Sequence, residues 1–220
     1  MVAVARSREQ VAQQPPADDA DLRRFPTRTV RAGATWFREH AGGAGPWWFS
    51  SSGAGRFDLP APEGTCYLAS SGAAAVRERL GPELAAHGTI TMSLLAGRVV
   101  STLGIPADVR SANMNAAAAA RFGVTRELPV MVPYDVPQAW AASLAAAGFG
   151  GIVAGLRFTP GRTDGLALFG AAGERTDWPR DAHPTSAVDV AAQLGVHIVA
   201  VPRSTDVTVV SPPKPPVRKH

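Results

Sequence analysis

Short runs enriched in β-branched, aliphatic and aromatic residues recur along this chain, each closed by glycine, proline or a polar cluster. They predict strands over residues 29–37, 65–69, 98–103, 151–158, 165–169 and 197–201. Gly33 weakens the first, and the turn TPGRTD separates the fourth from the fifth. Helical patterning falls between them. Residues 71–80 carry a serine cap and end at Gly81 and Pro82, while 108–121 is helical by the propensity of its alanine run. Residues 135–147 open on Asp135 and stop at Gly148, and 188–194 form the last helix. Strands and helices are interspersed without the regular alternation of a doubly wound sheet, so the fold class is α+β. Neither a GxGxxG nor a P-loop motif occurs, which argues against dinucleotide-fold and Walker chemistry.

Three regions follow from the patterning: a disordered arm over 1–25, a folded domain over 26–203, and a Pro/Lys-rich extended tail over 204–220. The net charge of +4 suggests a nucleic-acid partner until it is located. Lys214, Arg218 and Lys219 in the tail supply most of it, and the charges of residues 1–25 cancel. The body is near neutral, so no phosphate-tracking face is expected and no direct nucleic-acid contact. Cys66 is the single cysteine, which excludes an internal disulfide and a cysteine zinc cage, and the histidines lack metal spacing. No metal site is therefore expected. No apolar run approaches the roughly 20 residues of a membrane span, so a cytoplasmic protein without membrane contact is expected.

The chemistry gathers between Trp36 and Glu78. Residues 42–64 form a long Gly/Ser/Pro loop interrupted by GRFDL, and loops of that length in a compact domain usually serve function. Arg38 leaves the end of the first strand, and Arg56 follows Gly53 and Gly55. A guanidinium fork grips phosphate oxygens in two places, so both arginines suit a pyrophosphate. Ser52, with its neighbours Ser50 and Ser51, adds hydroxyl or amide donors. Tyr67 offers a ring face to a heteroaromatic group, as does Trp48, although Trp47 and Trp48 can equally plug the core. Glu78 lies eleven residues beyond Tyr67 on the following helix. One carboxylate is too few for ordinary glycoside hydrolysis, which needs a second to protonate the leaving oxygen. Nicotinamide leaves NAD as a neutral base from a cationic linkage, so a single glutamate facing the developing charge suffices. Structural roles compete with each assignment: Arg38 paired with Glu39, Arg56 with Asp58, Tyr67 in the core, and Glu78 on a solvated face between Arg77 and Arg79.

The segments WFREHA, GRFDLPAPEGTCYLASSGAAAVRE, RFGVTRELP, YDVPQAWAASLAAAGFGGI and DGLALFG resemble the RES-domain family, over about residues 29–170. The resemblance implies an ADP-ribosyltransferase-like mixed sheet with flanking helices. It implies an NAD-consuming toxin of a bacterial toxin–antitoxin pair, with NAD as substrate, no permanently bound cofactor, and an antitoxin protein as partner. By motif, Arg38 and Arg56 take the family's arginines, Tyr67 its strand tyrosine and Glu78 its glutamate. The family's serine does not carry over. Leu156 stands in its place before Arg157, leaving a nearby hydroxyl such as Thr159 to substitute or the site to have lost part of its function.

Three functions are consistent with this set: cleavage of the nicotinamide–ribose bond by water or phosphate, ADP-ribosyl transfer to a protein or small molecule, and nucleotide or partner binding without turnover. Glu78 and Arg38 are the expected catalytic residues. Arg56, Tyr67, Ser52 and Trp48 are the expected substrate-binding ones. A homo-oligomer is compatible with the sequence.

Overall fold

The structure, a computed structural model, describes residues 13–200. In chain order its elements are β1 (Thr27–Val30), β2 (Thr35–Ala41), β3 (Trp48–Phe49), β4 (Glu63–Ala69), α1 (Gly72–His87), β5 (Ile90–Thr91), β6 (Arg98–Gly104) and β7 (Val109–Asn113). There follow α2 (Asp135–Ala146), β8 (Gly151–Gly155), β9 (Asp164–Ala171), β10 (Gly173–Glu174), β11 (Thr185–Ser186), α3 (Ala187–Gln193) and β12 (Ile198–Val199). Eight strands form one mixed sheet in the order β1-β7-β8-β9-β4-β2-β6-β11. The α+β class read from the sequence is the class observed.

Two long antiparallel ladders dominate this sheet. One pairs β4 with β9 from Glu63↔Ala171 to Ala69↔Gly165; the other pairs β2 with β6 from Thr35↔Gly104 to Ala41↔Arg98. Only Phe37↔Ala69 joins β2 to β4, so the sheet splits beyond that pair.

Side chains alternate across a strand, so each ladder feeds two cores. Tyr67, Ile152 and Ala167 point to one face, where α2 buries Trp140, Ala141 and Leu144 together with Leu22 and Phe25. Farther along that face α1 and α3 cover Phe37 and Val100. The other face carries Cys66, Leu68, Val153, Leu166 and Leu168 beneath Trp47 and Phe49. Trp178 seals this second core, its ring edge-on to both aromatics. Among the described residues no helix is long and apolar enough to cross a membrane.

Several expectations are corrected. Residues 13–25, assigned to a disordered arm, pack on the domain. Gln13 is buried and bonds Glu127, Thr125 and Gly123, and the Phe25 ring contacts Phe122, Trp140 and Phe149. Residues 1–12 of that arm and the tail over 204–220 lie outside the described residues. The strand expected over 29–37 is two strands, because Gly33 turns the chain at φ +76 with its amide on the Ile105 carbonyl.

The helix expected over 108–121 is instead β7 followed by a 3-10 helix, Ala117–Phe122. Pairing of β7 with β1 and β8 overrides local propensity there, burying Ser111 and Ala112. The helix expected to stop at residue 80 continues through Pro82 to His87, where Gly88 caps it in the left-handed conformation. Gly81 is retained mid-helix because the Phe158 ring packs where its side chain would stand. The strand expected over 151–158 ends at Gly155, where the chain turns to meet α1.

Candidate active site

The helical layer leaves a gap between α2 and α1, directly over the point where the sheet splits. Small residues pave the floor: Ala69, Ala154 and Ala167 lie where larger side chains would fill the space. The result is a cavity of about 370 Å³, with Glu78 and Arg79 on the α1 wall and Arg56 and Tyr134 on the other. Arg38, Tyr67, Leu156 and Arg157 also line it. Residues far apart in sequence (38, 56, 67 and 78) therefore converge on one hollow.

The loop before β4 is shaped by a buried carboxylate. Asp58 accepts from the Tyr67 hydroxyl at 2.8 Å, the Gly55 amide at 3.0 Å and the Ser50 hydroxyl at 3.1 Å. The Tyr67 oxygen accepts in turn from the Phe57 amide at 2.8 Å. Burial, then the neighbouring Asp58 charge, push the Tyr67 phenol far above its ordinary range, so it serves as a neutral donor. Gly55 is required here, since a Cβ would stand 2.5 Å from the Tyr67 oxygen. Gln138 of α2 donates to the Gly53 and Gly55 carbonyls at 2.8 and 2.9 Å and pins the turn from outside. These two bonds join positions more than 80 residues apart, which no local pattern reports.

These bonds deliver Arg56 to the cavity wall. Its guanidinium lies 5.2 Å above the Tyr134 ring, and Nε donates to the Met131 carbonyl at 3.4 Å. Burial lowers its proton affinity, Tyr134 counters, Arg157 adds to the lowering and Glu78 opposes it. An arginine remains a cation under such shifts. Asp58 is taken up by Tyr67 and the loop, so Arg56 has no ion pair with it among the described residues.

Arg38 is placed differently from Arg56. Strand alternation carries its side chain to the face opposite Phe37, where Nη1 donates to the Pro46 carbonyl at 2.6 Å and the Trp48 carbonyl at 2.9 Å. The Cys66 sulfur lies 2.9 Å from the same nitrogen, and burial pushes that thiol up to about 11. Arg38 borders the cavity at the split in the sheet, but its guanidinium is held on the opposite face, where it braces the β3 segment. Glu39 is bound to Arg98 and not to Arg38.

Glu78 spans the cavity edge. Its Oε1 accepts from the Phe158 amide at 2.7 Å and the Thr159 hydroxyl at 2.9 Å, and its Oε2 from the Arg157 amide at 3.1 Å. Arg157 was not singled out by sequence reasoning as a site residue; its contribution runs partly through a backbone amide, which no side-chain pattern reports. Two expected residues lie apart from the lining. Ser52 is exposed and bonds Ser50 and Asp58. Trp48 is 52% exposed on β3, while its neighbour Trp47 is fully buried with its indole N–H on the Pro179 carbonyl.

The RES domain, as a family, matches residues 26–189 of this chain. The chain belongs to the RES domain family. The match runs from β1 to the first three residues of α3 and encloses every lining residue named above. Among solved structures, the RES domain described here is similar to a chain of the M. tuberculosis MbcT–MbcA toxin–antitoxin complex, with a TM-score of 0.55 at 16% identity. That likeness covers 74% of this chain and 90% of the other, and it bears out the expected ADP-ribosyltransferase-like mixed sheet. No curated protein matches the sequence.

Proposed function

We propose that the cavity binds NAD and that the protein cleaves its nicotinamide–ribose bond. The observation that carries this reading is the convergence of the Glu78 carboxylate with Arg56 and Tyr67 on a single hollow, where the other lining carboxylate, Glu39, is tied to Arg98. Arg56 holds the pyrophosphate, and Arg38 acts from behind the split in the sheet by bracing the β3 segment. The Tyr67 ring lies against nicotinamide or its ribose. As the C1′–N bond breaks, its electron pair goes to nicotinamide, which leaves neutral without a general acid. Positive charge grows on the ribose, and the Glu78 carboxylate stabilises it, an effect of about 10²- to 10³-fold in rate for one well-placed group. Water or inorganic phosphate then bonds to C1′ and releases its proton to solvent. Transfer to a protein or small-molecule acceptor differs only in the nucleophile.

A toxin acting on NAD inside the cell, held in check by an antitoxin protein, is the biological reading. It is supported by family membership and by a fold shared with a protein crystallised in a toxin–antitoxin complex. A nucleotide-binding module without turnover is the second reading, favoured by Leu156 in the cavity lining where the resemblance expects a serine.

Incubation of the purified protein with NAD, followed by separation of nicotinamide, ADP-ribose and its phosphorylated form, tests these. Nicotinamide release that falls at least about 100-fold in Glu78→Gln, with unchanged melting behaviour, supports catalysis. Tight NAD binding with no product supports the module. Retained turnover in Glu78→Gln refutes the mechanism.

A further inference from the structure

We infer that Thr159 is a positioning residue: its hydroxyl fixes the rotation of the Glu78 carboxylate and leaves Oε2 as the oxygen that meets the substrate. This rests on the catalytic reading of Glu78 given above.

A carboxylate oxygen accepts two hydrogen bonds in its plane. Oε1 has both, from the Phe158 amide at 2.7 Å and the Thr159 hydroxyl at 2.9 Å. Among the described residues Oε2 has one, from the Arg157 amide at 3.1 Å, so its remaining lone pair is available on a side chain that lines the cavity. Two of the three donors are backbone amides of consecutive residues, fixed by the path of the chain. The hydroxyl is the one donor that side-chain identity controls.

The turn carrying these donors is tied to α1 on both sides of Glu78. Arg77 Nε donates to the Phe158 carbonyl at 3.0 Å, and the Phe158 ring packs over Gly81, one helical turn beyond Glu78. The Thr163 hydroxyl closes the loop on the Thr159 carbonyl at 3.0 Å. A β-branched residue has few χ1 choices, so threonine in a turn held this way aims its hydroxyl at one place. Thr159 also lines a neighbouring cavity of about 980 Å³ that shares Pro129, Gly155 and Leu156 with the first. The hydroxyl therefore stands on the divide between the two spaces and holds Glu78 at the edge of the smaller one.

The test compares Thr159→Val, Thr159→Ala and Thr159→Ser with the wild type in the NAD assay and by crystallography. With Val or Ala, kcat is expected to fall about 10- to 100-fold, the effect of one hydrogen bond to a charged group, while KM changes less than about twofold. Thr159→Ser restores kcat to within about threefold, because the hydroxyl and not the methyl acts. Undiminished kcat in both truncated variants overturns the inference, as does a serine variant no better than alanine. Should the wild type release no nicotinamide, the proposed function fails and the crystal structures decide. A Glu78 carboxylate swung away from the Phe158 amide in Thr159→Val or Thr159→Ala supports the positioning role; an unmoved carboxylate in both overturns it.

Discussion

Gly81→Ala is the substitution that most directly probes how the fold builds this site. Helix propensity alone favours alanine by about 1 kcal/mol at an interior position. The surroundings oppose it. A Cβ on residue 81 would stand 2.6 Å from Phe158 Cβ and closer still to Cγ and Cδ2, whereas ordinary contact begins at 3.4 Å. The root of the ring, not its flexible tip, has to retreat by at least the 0.8 Å between those two figures. Overpacking of that kind costs about 1–3 kcal/mol, so the net expectation is a loss of up to about 2 kcal/mol. Retreat of Phe158 also draws its amide from Glu78, to which it donates at 2.7 Å. Urea unfolding is expected to show a lower midpoint at an unchanged slope, accompanied by slower nicotinamide release. A variant at least as stable as the wild type, with full turnover, would mean that the 157–159 turn does not lean on α1 as described.

Trp48→Ala and Ser52→Ala are each expected to change KM for NAD by less than about twofold, since neither side chain lines the cavity; a tenfold rise in either would place the ligand across the outer loop. His40 supplies a pH dependence. Its Nδ1–H donates to the Ala41 carbonyl and its Nε2 accepts from Ser101, while burial, the leading cause, holds its pKa below the ordinary 6.5. The unfolded chain takes up the proton first as pH falls, so stability is full above about pH 6.5 and declines below it. Urea midpoints at about pH 7.5 and about pH 5.5 should differ more in the wild type than in His40→Gln. Equal differences would remove His40 from that role.

Much of the scaffold was legible wherever local and long-range preferences agree. The TCYLA strand and the helix opening at Asp135 appear at the expected residues. Tyr67 and Glu78 face one cavity because a strand and the helix after it cover adjoining ground. Val109–Asn113 was illegible for the opposite reason: its strand character comes from β1 and β8, partners roughly 40 to 80 positions away in the chain. Helix α1 runs past Gly81 and Pro82 because a ring from the β8–β9 connection covers the glycine, which no local pattern reports. Site residues that act through backbone groups, Arg157 and Phe158 on Glu78 among them, carry no side-chain signature. Arg38 was placed in the right neighbourhood, but its bonds to two carbonyls and to Cys66 depend on how the β3 segment folds over the sheet.

The single pair Phe37↔Ala69 between two fully hydrogen-bonded ladders has a mechanical meaning. Each ladder keeps its own cross-strand bonds whatever the angle between them, so the mouth of the hollow is set at one seam and its rigidity elsewhere. Bulk added at Ala69 would prise the halves apart or fill the floor, whereas equal bulk on the outer strands leaves the aperture alone. Width and stability are thus assigned to different residues, and a molecule that draws the two walls inward works against one joint, not against a continuous sheet.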